Sequence, residues 1–178
     1  MKKRVLCLVT DGFEETELVT PVNLLRRGGV EVVVASWDGD MVAGRGGIRL
    51  LPDAEFAAVD PKSFDLLFIP GGPGVMDLRA DGRAARLAAE FYADGRMVAA
   101  ICAAPLLLKD AGLLDGLRFT AHFSVHEELP GVVDERVVVD GSIVTSRGPG
   151  TAVDLGLELV RLLMDQQTAD EVAQGIMV

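Results

Sequence analysis

The chain has 178 residues, 49% of them apolar and 25% charged, with a formal net charge of −10. That length suits a single domain, residues 1–178, with a substantial core, and the composition is that of a globular protein rather than a disordered one. The acidic balance argues against nucleic acid or an anionic membrane surface as partner, since both call for basic patches, and no apolar stretch approaches a membrane span.

In chain order, Met1-Lys2-Lys3-Arg4 is basic and residues 4–9 form a short β-rich run. Asp11 interrupts that run too early for the core of a signal peptide. Residues 14–27 read as a helix with Gly28-Gly29 as its stop signal, and residues 30–35 as a second buried strand. A glycine-rich excursion over 38–47 predicts a hairpin. Residues 65–69 are a third apolar run, ending in Pro70-Gly71-Gly72-Pro73-Gly74. An alanine-rich helix is predicted over 80–93, closed by Asp94-Gly95, then a fourth core strand over 97–101 and a helix over 103–109. Residues 136–139 and 143–145 flank Asp140-Gly141, a hairpin signal. Residues 151–164 are a long helix with apolar side chains on nearly every side, as for one packed against a sheet or a partner. Strands alternating with helices imply a mainly parallel central sheet with helices on both faces, an α/β three-layer sandwich.

The most informative feature is Cys102, which separates the apolar run 97–101 from a second one over 103–108. A strand-turn-helix corner lifts a side chain off the sheet and points it at a helix N-terminus. Unpaired N–H groups and partial positive charge there favour thiolate over thiol. Nucleophile elbows place serine in the same way, although Ala100-Ile101-Cys102-Ala103-Ala104 lacks their flanking glycines. A buried cysteine packed as a small apolar residue would leave the same local pattern. In parallel sheets ligands bind at the carboxyl ends of the strands. The loops expected there are residues 10–17, with Glu14, Glu15 and Glu17, then Gly71-Gly72, then Cys102. Each also has a plain structural reading: carboxylates complementing a helix N-terminus, glycines making a tight turn, and His122 as a surface or capping residue. Two cysteines, Cys7 and Cys102, make no disulfide framework and suit a reducing cytoplasm, and His122 and His126, though four residues apart, have no carboxylate or thiolate placed to complete a metal site.

Five stretches in order together resemble the DJ-1/PfpI (ThiJ) superfamily, and its DJ-1 branch in particular. They are Asp11-Gly12-Phe13-Glu14-Glu15-Thr16-Glu17, Pro21 to Gly29, Pro70-Gly71-Gly72, Ala99-Ala100-Ile101-Cys102-Ala103 and Thr145-Ser146-Arg147-Gly148-Pro149-Gly150-Thr151. The resemblance implies a flavodoxin-like sandwich that forms a homodimer. It implies Cys102 as reactive thiol, Glu17 as its carboxyl partner, His122 as the nearby imidazole, and the amides of Gly71, Gly72 and Ala103 around the oxyanion. Arg27, Ser146, Arg147 and Pro149 are implied at the site's rim or the dimer interface.

The activity implied is conversion of glyoxal or methylglyoxal to 2-hydroxy acids (glyoxalase III-like) or the related removal of glycation adducts from proteins. No glutathione, metal or nucleotide cofactor is implied. A cysteine-based oxidative-stress sensor or redox-regulated chaperone, and an inert dimeric scaffold, are the alternatives. Ala103 stands where peptidases of the PfpI branch have histidine, which argues against proteolysis. Asn23 replaces the aspartate that often accompanies the histidine, which weakens an acid–base role for His122. The chain ends at Val178 without the extra helix that shields the site in the family's human member, which implies an open cleft.

Overall fold

The computed structural model describes residues 2–178. Its strands are β1 (Arg4–Val9), β2 (Glu31–Ser36), β3 (Val42–Ala43), β4 (Arg49–Leu50), β5 (Ala54–Glu55), β6 (Leu66–Ile69), β7 (Met97–Ile101), β8 (Val137–Asp140) and β9 (Ile143–Ser146). The helices are α1 (Glu15–Arg27), α2 (Val75–Asp81), α3 (Arg83–Ala93), α4 (Pro105–Asp110), α5 (Ala152–Leu163) and α6 (Gln166–Gly175). Seven strands form one sheet in the order β5-β2-β1-β6-β7-β9-β8, parallel except for β8, while β3 and β4 make the predicted small hairpin.

Alternation along the central strands divides the core. In β1, Val5, Cys7 and Val9 face one side with Leu18, Leu25, Leu155 and Leu159, whereas Leu6 and Leu8 face the other with Leu87, Phe91, Leu106 and Leu107. Helices α1, α5 and α6 therefore cover one face and α2, α3 and α4 the other, giving the three-layer α/β sandwich that the pattern predicts. Helices α1 and α5 approach closely at Gly156, where a Cβ would stand 2.6 Å from Leu24 Cδ1 and 3.1 Å from Pro21 Cα.

Three elements differ from the sequence reading. The helix predicted over 80–93 is two helices, because Gly82 takes a left-handed conformation (φ 76°) that ends α2 and starts α3. The helix behind Cys102 starts at Pro105 rather than Ala103, so the thiol sits on a turn before the helix. Helix α6 escaped the periodicity argument, since only Ala169 and Val172 of its ten residues are buried.

Candidate active site

Cys102 leaves β7 with φ 67°, one of two non-glycine residues with positive φ among those described. A side chain in this region costs about 1–2 kcal/mol, so the surroundings must hold it. They do so through its own backbone: Cys102 N–H donates to Ser146 O (2.9 Å), and Cys102 O accepts from His122 N–H (2.9 Å). These two bonds bring the end of β9 and the His122 segment alongside the thiol. The residue is buried, 8% exposed, rather than on an open surface.

Glu17 reaches the same place from α1. The buried positions of that helix are Glu17, Leu18, Pro21, Val22, Leu24 and Leu25, so a carboxylate occupies the apolar stripe and is fully buried. Glu14, the N-cap, accepts from Glu17 N–H (2.8 Å) and fixes the first turn. Glu17 Oε2 accepts from Gly71 N–H (2.9 Å), whereas Oε1 has no hydrogen-bond partner among the described residues.

Gly71 is glycine because the two functional side chains crowd it. A Cβ there would stand 2.5 Å from Glu17 Oε2 and 2.6 Å from Cys102 Cβ. Gly71→Ala is therefore expected to cost about 1–3 kcal/mol and to push the carboxyl away from the thiol. Chemical denaturation and turnover should fall together, and unchanged values in both would refute this packing. Gly72 (φ 102°) is pressed against the loop before α1, where a Cβ would meet Gly12 O at 2.4 Å.

Burial, first of all, pushes the Glu17 carboxyl up to about 7, reinforced by the negative charge of Glu14 and opposed by the thiol, Gly71 N–H and Arg45. Burial also raises the Cys102 thiol, and an ionised Glu17 beside it takes it further, up to about 12; the Gly72 and Ala103 amides pull the other way. Sulfur and carboxyl thus shift each other's proton equilibrium without the alignment of a full hydrogen bond. The rise in the carboxyl, caused by burial, is the firm direction, while the acidity of the thiol depends on the charge of Glu17. This corrects the expectation of a standing thiolate at a helix mouth. Burial and the charge of Glu17 outweigh the amide donors and hold the proton on the sulfur.

His122 is half-buried, its Nδ1 pairs with Ser124 Oγ (2.8 Å), and burial followed by the charges of His126 and Arg45 lowers its pKa, which favours the neutral ring. Its Cδ2 edge faces Gly148, where a Cβ would stand 3.2 Å away and also 3.8 Å from Glu17 Oε1. Asn23 accepts from Arg27 Nε (2.8 Å), and no hydrogen bond joins it to His122 among the described residues. Arg27 lies ten residues beyond Glu17 on α1, about 15 Å along the helix, so within one protomer it does not line the site. Ser146 is buried and structural: its Oγ donates to Arg136 O (3.0 Å) and pairs with Thr151 Oγ1 (2.6 Å). Arg147, paired with Asp134, and Pro149 line a cavity of about 400 Å³ next to the site, together with His122, Phe123 and His126.

The site also uses a hairpin that sequence reasoning did not connect to it. Glu15 accepts from Gly46 N–H (2.7 Å) and Ile48 N–H (3.3 Å), and Arg45 N–H donates to Phe13 O (2.9 Å). The β3–β4 hairpin is thereby fastened to the loop before α1, with the charge of Arg45 acting on both Glu17 and His122. A glycine-rich hairpin carries no local sign of which loop it will cover. Among the described residues no group of three or more His, Cys, Asp or Glu side chains could hold a metal ion, and no helix is long and apolar enough to cross a membrane.

The sequence pattern of the DJ-1/PfpI family matches residues 3–162. The chain belongs to the DJ-1/PfpI family. It is 34% identical to the dj-1beta protein of Drosophila melanogaster, covering 100% of this chain and 98% of that one, which places it in the DJ-1 branch. It is 38% identical to a deglycase from Pyrococcus abyssi (90% of this chain, 99% of the relative) and 32% identical to a glutathione-independent glyoxalase from Caenorhabditis elegans (91% and 89%). The structure of oxidised Toxoplasma gondii DJ-1 superposes with a TM-score of 0.93 at 33% identity over 98% of each chain, so the DJ-1 flavodoxin-like fold is shared.

Proposed function

We propose that this protein converts small 2-oxoaldehydes such as glyoxal and methylglyoxal to 2-hydroxy acids, or acts on the related adducts on glycated proteins, with Cys102 as nucleophile and no added cofactor. The relatives named as deglycase and glutathione-independent glyoxalase support the class. One observation carries the chemistry: a buried carboxyl held near neutrality beside a thiol, with two backbone amides directed at the same sulfur. A base with its pKa near the operating pH is best matched to moving protons both ways.

As the sulfur adds to the aldehyde carbon, Glu17 takes the thiol proton and the carbonyl electron pair goes to oxygen, where the Gly72 and Ala103 amides hold it. Glu17 returns that proton to the alkoxide, giving a hemithioacetal. It then removes the proton from the former aldehyde carbon and delivers it to the neighbouring carbon through an enediol. The former aldehyde carbon is oxidised and its neighbour reduced within one molecule, so the thioester forms with no external redox partner. Water then releases the 2-hydroxy acid and restores the thiol. His122, neutral at the edge of the site, serves as a wall and hydrogen-bonding group.

Incubation with methylglyoxal should yield lactate. An enzyme that makes none, while Cys102 gains two oxygens under mild peroxide, would instead be the sensor, a reading that rests on the same thiol. In that peroxide experiment Cys7 should stay unmodified, because it is fully buried on β1 and burial pushes its thiol far up. Mass spectrometry showing Cys7 oxidised before Cys102 would contradict the assignment.

The reading includes residues 1–178 as one domain, a cytoplasmic setting, and a homodimer. Val19 on α1 is 49% exposed, and Ile48 and Leu51 on the hairpin are 61% and 77% exposed. A second copy covering this apolar face would bury them, with Arg27 and the Pro149 turn at the margin, and sedimentation would report the dimer.

A further inference from the structure

A second cavity, of about 670 Å³, opens where β1, β6 and β7 begin. Strand β7 separates it from Cys102 by about 16 Å, so it lies at the opposite end of the sheet from the thiol. Five cations line it, Lys2, Lys3, Arg4, Lys62 and Arg96, against a single carboxylate, Asp65. The chain has four lysines in all, and three of them stand here. The fourth, Lys109, donates to Glu128 O (2.6 Å). Both arginines are engaged. Arg4 pairs with Glu31 and donates to Ser63 O (3.0 Å), and Arg96 pairs with Asp94 and donates to Pro61 O (2.7 Å), so the two fasten the segment that carries Lys62. Asp65 accepts from Arg4 N–H (2.8 Å) and makes only an exposed, weak pair with Lys3 (3.3 Å). Lys2 and Lys62 are exposed and have neither an ion pair nor a side-chain hydrogen bond among the described residues.

Lysines gathered around one concavity repel one another, and a multiply charged anion relieves that. Screening confines each charge to about 8 Å at physiological salt, so distant carboxylates do not offset the cluster. Met97, Leu162 and Leu163 add an apolar part to the lining. The volume falls in the range, about 300–1,000 Å³, that holds a small organic ligand. Lysine suits phosphate as a point charge, whereas bidentate capture of a carboxylate calls for a free guanidinium, and none is free here. We propose that this cavity binds an organic phosphate with at least two negative charges and an apolar ring, of the nucleoside diphosphate class. Lys2, Lys3 and Lys62 take the phosphates, and Met97, Leu162 and Leu163 take the ring. A long polyanion does not suit the molecule, because cations concentrated here leave the remaining surface more acidic than the overall charge of −10. The site stands apart from the thiol chemistry and does not rest on it.

The test is titration calorimetry of the full chain with ADP as probe, at low and at physiological salt. ADP should bind with a Kd below about 1 mM, raise the melting temperature, and bind more weakly as salt is added. Lys62→Ala, an exposed substitution, should weaken ADP by about 10-fold, while Lys62→Arg keeps the charge and should retain most of the affinity. Adenosine, which lacks the phosphates, and pyrophosphate, which lacks the ring, should each bind at least about 10-fold more weakly than ADP. No binding of ADP at about 1 mM, or equal affinity in wild type and Lys62→Ala, would overturn the site. So would adenosine or pyrophosphate matching ADP, or a single-stranded oligonucleotide binding more tightly than ADP.

Discussion

Cys102→Ala should abolish formation of lactate from methylglyoxal, lowering kcat/KM by about 10⁴-fold or more, while the melting temperature changes little. Loss of the sulfur removes the covalent step itself, and the amides of Gly72 and Ala103 then face no bound intermediate. Alanine keeps the left-handed backbone and its cost, because the bonds to Ser146 O and from His122 N are made by the main chain and survive. Cys102→Ser should be nearly as inactive, since a hydroxyl is far too weak an acid for a carboxyl held at about 7 to deprotonate. Residual activity within ten-fold of wild type in either variant would exclude the thiol as nucleophile. The readout is lactate formation on protein whose circular dichroism matches wild type.

Glu17→Gln should move activity and stability in opposite directions. Without a proton acceptor at the sulfur, turnover should fall by about 10²–10⁴-fold. Stability should rise, and only above a definite pH. Burial raises the folded-state value of Glu17 from 4.5 to about 7, so the folded chain holds a proton over a range where the unfolded chain has released it. Stability associated with this group is complete below the unfolded value and is lost as pH rises through the folded one. Glutamine is neutral throughout. The variant should thus match wild type below pH 4.5 and exceed it above about pH 7, by roughly 1–3 kcal/mol. Thermal unfolding of both proteins at pH 4 and pH 8 reads this directly. A variant destabilised at pH 8 would show that the carboxylate is held by partners rather than tolerated for function. Such a trade of stability for a poised acid is common at active sites.

The layers were legible because a parallel sheet buries its strands on both faces, which leaves β1, β6 and β7 as continuous apolar runs. Helix α6 was not, since its stripe of buried residues is too thin to stand out. Neither was the break at Gly82, where a single glycine in an alanine-rich run decides between one helix and two. At the site, Cys102 could be found from the abrupt change of pattern around it. Glu17 was singled out from Glu14 and Glu15 only through resemblance, because a carboxylate in a helix's first turn ordinarily complements the helix dipole from outside. Its burial follows from its phase relative to Leu18 and Val22, which a helical projection does show. The protonation balance was read wrongly because the local sequence displays the donors at the corner and hides the desolvation. Arg45 belongs to a loop that reaches the site only through tertiary hydrogen bonds, and no neighbouring residue announces that.

Linkage between the Glu17 carboxyl and the Cys102 thiol is measured most directly by the pH dependence of Cys102 alkylation by iodoacetamide in wild type and Glu17→Gln, with Cys7 protected by its burial. In wild type the thiolate should form only well above neutrality, toward about 12, because Glu17 is already ionised there and its charge holds the proton on the sulfur. In Glu17→Gln the inflection should move down from there toward the ordinary thiol value of 9.0, because a neutral amide removes the charge that raises it and leaves burial alone. The same inflection in both proteins would mean that the sulfur titrates independently of the carboxyl, and the proposed division of labour between them would be wrong.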